Sequence, residues 1–142
     1  MDKAAKIRCA IYAAIALAAL VATWSQNLAY NGGDRPLSRF LPDTAVTPAS
    51  RSITADILLL LLAAVFLMVL EARRHNVPFV WAYIAGAFLI AISVTFPLFL
   101  IARERRLAAE GSATPRLSAV DTALLTALTL VVAGATLWVD TR

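Results

Sequence analysis

One cysteine, Cys9, and one histidine, His75, are all that this chain offers of the side chains most used to bind metals or attack substrates. A lone cysteine excludes an intramolecular disulfide and a CxxC redox or zinc pair. It reads instead as a small apolar residue inside a helix. The histidine has no second ligand at metal-binding spacing, and beside Arg73 and Arg74 it reads as a solvated loop residue. Glycine is also scarce, at five in 142 residues, and no phosphate-cradling loop or nucleophile–base arrangement is visible. The sequence therefore points to no catalytic residue, no metal and no cofactor. Charge is the other shortage. Charged residues make up 15% of the chain and hydrophobic ones 61%, against about a quarter and about a half in an ordinary soluble domain. One domain of this length could not hide so much apolar surface in its own core, and the mean hydropathy of +0.76 makes lipid the expected solvent.

What is present is four apolar runs, 7–28, 53–70, 77–102 and 117–139, in a single membrane domain covering 1–142. Strand-like alternation never persists. Inside lipid every backbone polar group needs a partner within its own segment, so helices are expected. The fold class is all-α, a polytopic membrane protein with four transmembrane helices in a small bundle. Lys3, Lys6 and Arg8 precede the first run as in a signal peptide, but no small-x-small cleavage site follows, and the run reads as a retained helix. The polar connection 31–52 carries Gly32, Gly33, Pro36, Pro42 and Pro48 as breakers, with Phe40 and Leu41 able to rest on the membrane surface. The third run is free of charge from Val77 to Ala102. A straight helix of that length measures roughly 39 Å and the hydrocarbon core about 30 Å, so the run must tilt or bend, with Pro97 the candidate bend.

Close helix contacts in lipid need small side chains. Ala10, Ala14, Ala18 and Ala22 share one face of the first helix. Ala82, Ala85, Gly86 and Ala87 cluster in the third, and Thr122, Thr126, Thr129, Ala133 and Thr136 line the fourth. The threonines are expected to bond back to their own helix. The second helix, Leu-rich on all sides, is the expected lipid-facing one. Trp24, Trp81 and Trp138 lie near run ends, as interfacial anchors do.

The net charge is +4 and the pI about 9.8. Basic residues flanking apolar runs suit anionic lipid headgroups, not nucleic acid. Four straight crossings would gather Trp24, Asn27, Asp56, Arg103, Glu104, Arg106 and Asp121 at one interface as a candidate polar cluster. Glu71, Arg73 and Arg74 would form the opposite-face turn. An ion pair between Asp56 and Arg103 is expected to tie the second and third helices. The same sorting places Lys3, Lys6, Arg8, Arg73, Arg74 and Arg142 on one side and Arg35, Arg39, Arg51, Arg103, Arg105, Arg106 and Arg116 on the other. Six against seven gives the positive-inside rule no purchase. An even number of crossings puts both termini on one side, taken as cytoplasmic from the basic start.

The strings TWSQNL, TADILL, LEARRHNVP and FPLFLIARERRL, in that order, resemble a bacterial family of small membrane proteins, domain of unknown function 2834. The matching positions are Trp24, Asn27, Asp56, Glu71, Arg73, Arg74, Pro97, Arg103 and Glu104, within residues 1–110. The resemblance implies a multi-pass protein of the bacterial inner membrane and brings no reaction or cofactor. The family plan has three helices, so 111–142 reads as an appended fourth. The sequence favours a non-enzymatic accessory or structural component, with membrane lipids and a homo-oligomer or partner membrane subunit as partners. The alternatives are a membrane-embedded enzyme or carrier for a lipid or isoprenoid, using the polar cluster, and a small oligomeric transporter whose path the threonines line.

Overall fold

The computed structural model describes residues 1–30, 36–111 and 117–141. Its helices are α1 (Lys3–Ala29), α2 (Pro36–Asp43), α3 (Pro48–Arg74), α4 (Val80–Gly86), a π-helical segment (Ala87–Ala91), α5 (Ile92–Ala109) and α6 (Ala119–Asp140). No strand occurs among the described residues. Lys3–Ala29, Pro48–Arg74, Val80–Ala109 and Ala119–Asp140 are each long and apolar enough to cross a membrane, as the four apolar runs led us to expect.

Local chemistry sets the helix starts. Asp2 caps α1 by accepting from the Ala5 amide at 2.7 Å. Thr47 and Ser50 form a capping box at the start of α3, and Ser118 and Asp121 form one at the start of α6. None of the three prolines expected to break the 31–52 connection does so: Pro42 lies inside α2, and the other two open helices. Pro36 is the first residue of α2 and Pro48 the first of α3, where a missing N–H costs nothing and the fixed φ is already helical. Gly32 and Gly33 lie outside the described residues.

The third apolar stretch departs most from expectation. It neither runs straight nor bends sharply at Pro97, which lies inside α5. The break is at Ala91, whose φ of 178° and ψ of 146° are extended. There the chain doubles back and α5 packs along α4. The rings of Tyr83 and Phe99 meet edge to face at 5.9 Å, although sixteen residues of straight helix would part them by roughly 24 Å. At Gly86 an added Cβ would lie 2.9 Å from Thr95 Cγ2, so the glycine leaves the space that the Thr95 methyl group fills. The Thr95 hydroxyl donates to the Ala91 carbonyl at 3.2 Å, which gives the backbone at the break a partner inside the protein.

The core lies between this hairpin and α3. Met68, Ala72, Val77, Val80, Ile84 and Phe99 form one buried cluster, with Met68 and Phe99 fully enclosed. Helix α3 therefore buries a stripe, Leu61, Ala64, Met68 and Ala72, and is not the lipid-facing helix anticipated. The helix with no buried residue is instead α6. Its Thr122, Thr126, Thr129 and Thr136 hydroxyls each donate to the carbonyl four residues back, at 2.7–2.9 Å. Helix α1 packs along α5, but not by the alanine face anticipated. Ala10, Ala14 and Ala18 are exposed, whereas Ala5 and Ala16 are buried and Arg8, Tyr12 and Ala19 half-buried.

The hairpin makes a specific prediction. Gly86→Ala should lower stability by about 2 kcal/mol through overpacking against Thr95, and most of that loss should be recovered in Gly86→Ala/Thr95→Ser, which removes the obstructing methyl. Thermal unfolding of the four proteins in detergent measures the coupling. In a straight helix the two sites would be roughly 13 Å apart, and the two effects would simply add.

Candidate functional site

Where α1 begins and α3 and α5 finish, charged side chains from all three helices meet. Glu104 on α5 is 5% exposed and accepts from Arg8 Nη2 on α1 at 2.9 Å. Its neighbour Arg103 donates through Nε to Glu71 Oε2 on α3. Successive helical residues point about 100° apart, so the Arg103–Glu104 pair addresses two different neighbours from one turn of α5. Glu71 also lies 4.0 Å from Arg74 Nη1 and 3.7 Å from His75 Nε2. The other face of the His75 ring, at Nδ1, is 3.0 Å from Glu110 Oε2. The ladder thus joins the start of α1, the end of α3 and the end of α5, across the mouth of the hairpin.

A carboxylate as buried as Glu104 is costly unless it is paired. The Arg8 guanidinium supplies that pairing and fixes how α1 is rotated. Turning Arg8 inward also turns Tyr12, Ala16 and Ala19 inward, since they follow at steps of four and three. The charges are matched in opposite-sign contacts, so the cluster is a clamp more than an open receptor for an ion. Among the described residues no three His, Cys, Asp or Glu side chains converge as a metal site.

The residues singled out from the sequence are not brought together as one cluster. Arg103, Glu104 and Arg106 stand at the clamp end, with Arg106 exposed. Glu71, Arg73 and Arg74, assigned to the opposite face, are at this same end. Trp24 and Asn27 lie near the end of α1, and Asp56 is exposed on the third turn of α3, both at the far end. Asp121 completes the α6 capping box by accepting from the Ser118 amide at 3.0 Å. The anticipated Asp56–Arg103 pair is replaced by Glu71–Arg103. The reason is the reversal at Ala91, which returns the end of the third stretch to the side from which it started.

Arg8, His75 and Glu110 were the residues missed. Only 12% of the His75 side chain is exposed, so it is not the solvated loop residue anticipated. The four-residue spacing of Glu71 and His75 on a helical end was the available signal; the third partner, Glu110, needed the hairpin. At the far end, the Tyr30 hydroxyl donates to Asp43 Oδ2 at 2.5 Å and its ring meets Phe40 edge to face, which ties α2 beneath α1. That bond to Asp43 raises the Tyr30 phenol above its usual pKa.

Residues 11–105 match the model of the family described as protein of unknown function DUF2834. The chain belongs to this family. No curated protein and no solved structure matches it. The DUF2834 stretch takes in most of α1, all of α3, the hairpin and the Glu71–Arg103 contact. Arg8 and Glu110 fall just outside it, and α6 lies wholly beyond.

Removing one partner from a buried ion pair strands the other charge. Arg8→Leu should therefore destabilise the protein by about 3 kcal/mol, whereas Arg8→Met/Glu104→Met should recover most of the loss. Circular dichroism melts in detergent distinguish a clamp from a pair of independent surface charges, for which neither change exceeds about 1 kcal/mol.

Proposed function

We propose that this protein is a non-catalytic component of a membrane, acting as an accessory or structural subunit that packs against another membrane protein. One observation carries this reading. The carboxylates where the helices converge are already engaged within the chain, Glu104 by Arg8, Glu71 by Arg103 and Glu110 by His75. The lipid or isoprenoid carrier anticipated from the sequence needs Trp24, Asn27 and Asp56 gathered with Arg103 and Glu104 at one interface. Trp24, Asn27 and Asp56 are instead separated from Arg103 and Glu104 by most of the length of α3. For a transport path, α6 would have to present free hydroxyls, and its threonines are bonded to their own backbone.

The surface available to a partner is α6. It buries nothing, and its small hydroxyl face, satisfied internally, allows a second helix to approach closely without stranding a polar group. The partner's nature is thus a membrane helix, and in the simplest case a helix of another subunit.

Photo-crosslinking in the membrane tests this. A photoreactive residue at Thr129 on α6 should give one discrete protein adduct, and the same residue at Leu59 on α3 only lipid adducts. Lipid adducts alone from both positions would refute the subunit reading. A tightly held lipid that co-purifies with the wild type and is lost in Asp56→Ala would establish the carrier in its place.

A further inference from the structure

The clamp and the break at Ala91 together bear on how the chain lies in the bilayer. We infer that Val80–Ala109 enters and leaves the membrane on one side as a re-entrant hairpin, and that this side is the cytoplasmic one, seated on anionic lipid headgroups. The chain then makes three complete crossings, α1, α3 and α6, and its termini lie on opposite sides.

The path follows from contacts at both ends of the molecule. At one end, Arg8 of early α1 pairs with Glu104 of late α5, Glu71 of late α3 with the neighbouring Arg103, and His75, which caps α3, with Glu110, which caps α5. Both the approach to α4 and the departure from α5 are therefore at this end. The limb Val80–Ala91 is about 18 Å long, little more than half of a hydrocarbon core of about 30 Å, so its tip stops inside. Broken backbone at that depth survives only where protein surrounds it. Here Phe88, Leu89 and Ile90 face outward, but Ala87 is buried and Ala91 half-buried beside α1 and α5, with Thr95 bonded to the Ala91 carbonyl. At the other end, Gln26 Nε2 of late α1 donates to the Asp140 carbonyl of late α6 at 3.3 Å, so α6 finishes where α1 finishes.

The hairpin redistributes the basic residues. Arg103, Arg105 and Arg106 join Lys3, Lys6, Arg8, Arg73 and Arg74 at the clamp end, and among the described residues only Arg39 and Arg51 remain at the other. Eight against two replaces the undecided balance of straight crossings, and the positive-inside rule then puts the clamp end in the cytoplasm. Lys3, Lys6, Arg73, Arg105 and Arg106 are exposed there, where the anionic headgroups of the cytoplasmic leaflet offer matching charge. This inference stands whether or not α6 docks on another subunit.

Single cysteines in the full-length chain, with Cys9→Ser removing the native thiol, provide the test. Arg74→Cys and Arg106→Cys flank the hairpin, and Thr141→Cys marks the far end. In sealed right-side-out vesicles a membrane-impermeant maleimide should fail to label the first two and should label the third. Inside-out vesicles should reverse all three results, and detergent should expose every site. Labelling of Arg74→Cys and Arg106→Cys from opposite sides would overturn the hairpin. Labelling of both from outside would overturn the orientation. Arg73→Cys and Arg105→Cys, also exposed, repeat the measurement if either first variant fails to fold.

Discussion

The fold depends on a single close approach, that of Thr95 to Gly86. A reversal of the main chain among apolar residues is expensive because it interrupts the regular ladder of hydrogen bonds where no water can replace it. Here the cost is offset by one side chain with two functions. The Thr95 methyl fills the space that Gly86 leaves open, and the hydroxyl bonds the Ala91 carbonyl. With the limbs held together, Phe99 reaches Tyr83, Val80 and Ile84 join the α3 stripe, and the buried core cluster forms. Without the reversal neither the core nor the clamp has its parts.

The clamp completes at the polar end what the apolar contact begins inside. Exposed ion pairs are worth little, but Glu104 is nearly enclosed, and each helix would carry a stranded charge if it moved away. The pairs therefore act on placement more than on net stability: they set the rotation of α1 and the register of α5 against α3. The structural reading of the protein rests on this division of labour. Its ionisable side chains at the point of convergence hold helices to one another, and α6 is left with a face that is apolar or internally satisfied.

The amino-acid sequence made some of this legible. Helices, their approximate ends, the membrane setting and the back-bonded threonines of α6 follow from composition and periodicity, which are local properties. The excess length of the third run was also legible and correctly ruled out an untilted rod. The site of the reversal was not. Ala91 carries no breaking signal, and Pro97, which does, is accommodated inside α5. Recognising the turn required knowing that Gly86 and Thr95 meet across nine residues, a tertiary fact with no periodic trace. The errors at the site descend from that one. Once the third stretch is drawn straight, Arg103 is sent toward Asp56, Glu71 is left on the wrong face and His75 loses Glu110. The alanine stripe of α1 misled for a related reason, since a buried charge at Arg8 outweighs a choice among small side chains.

The short limbs of the hairpin give the molecule a taper. They add two helical cross-sections beside α1 and α3 at the clamp end; at the other only the short α2 is tied to α1, and the first turns of α3 and the last of α1 stand largely exposed. In the re-entrant placement inferred above, such a shape displaces more area from the clamp-side leaflet than from its opposite.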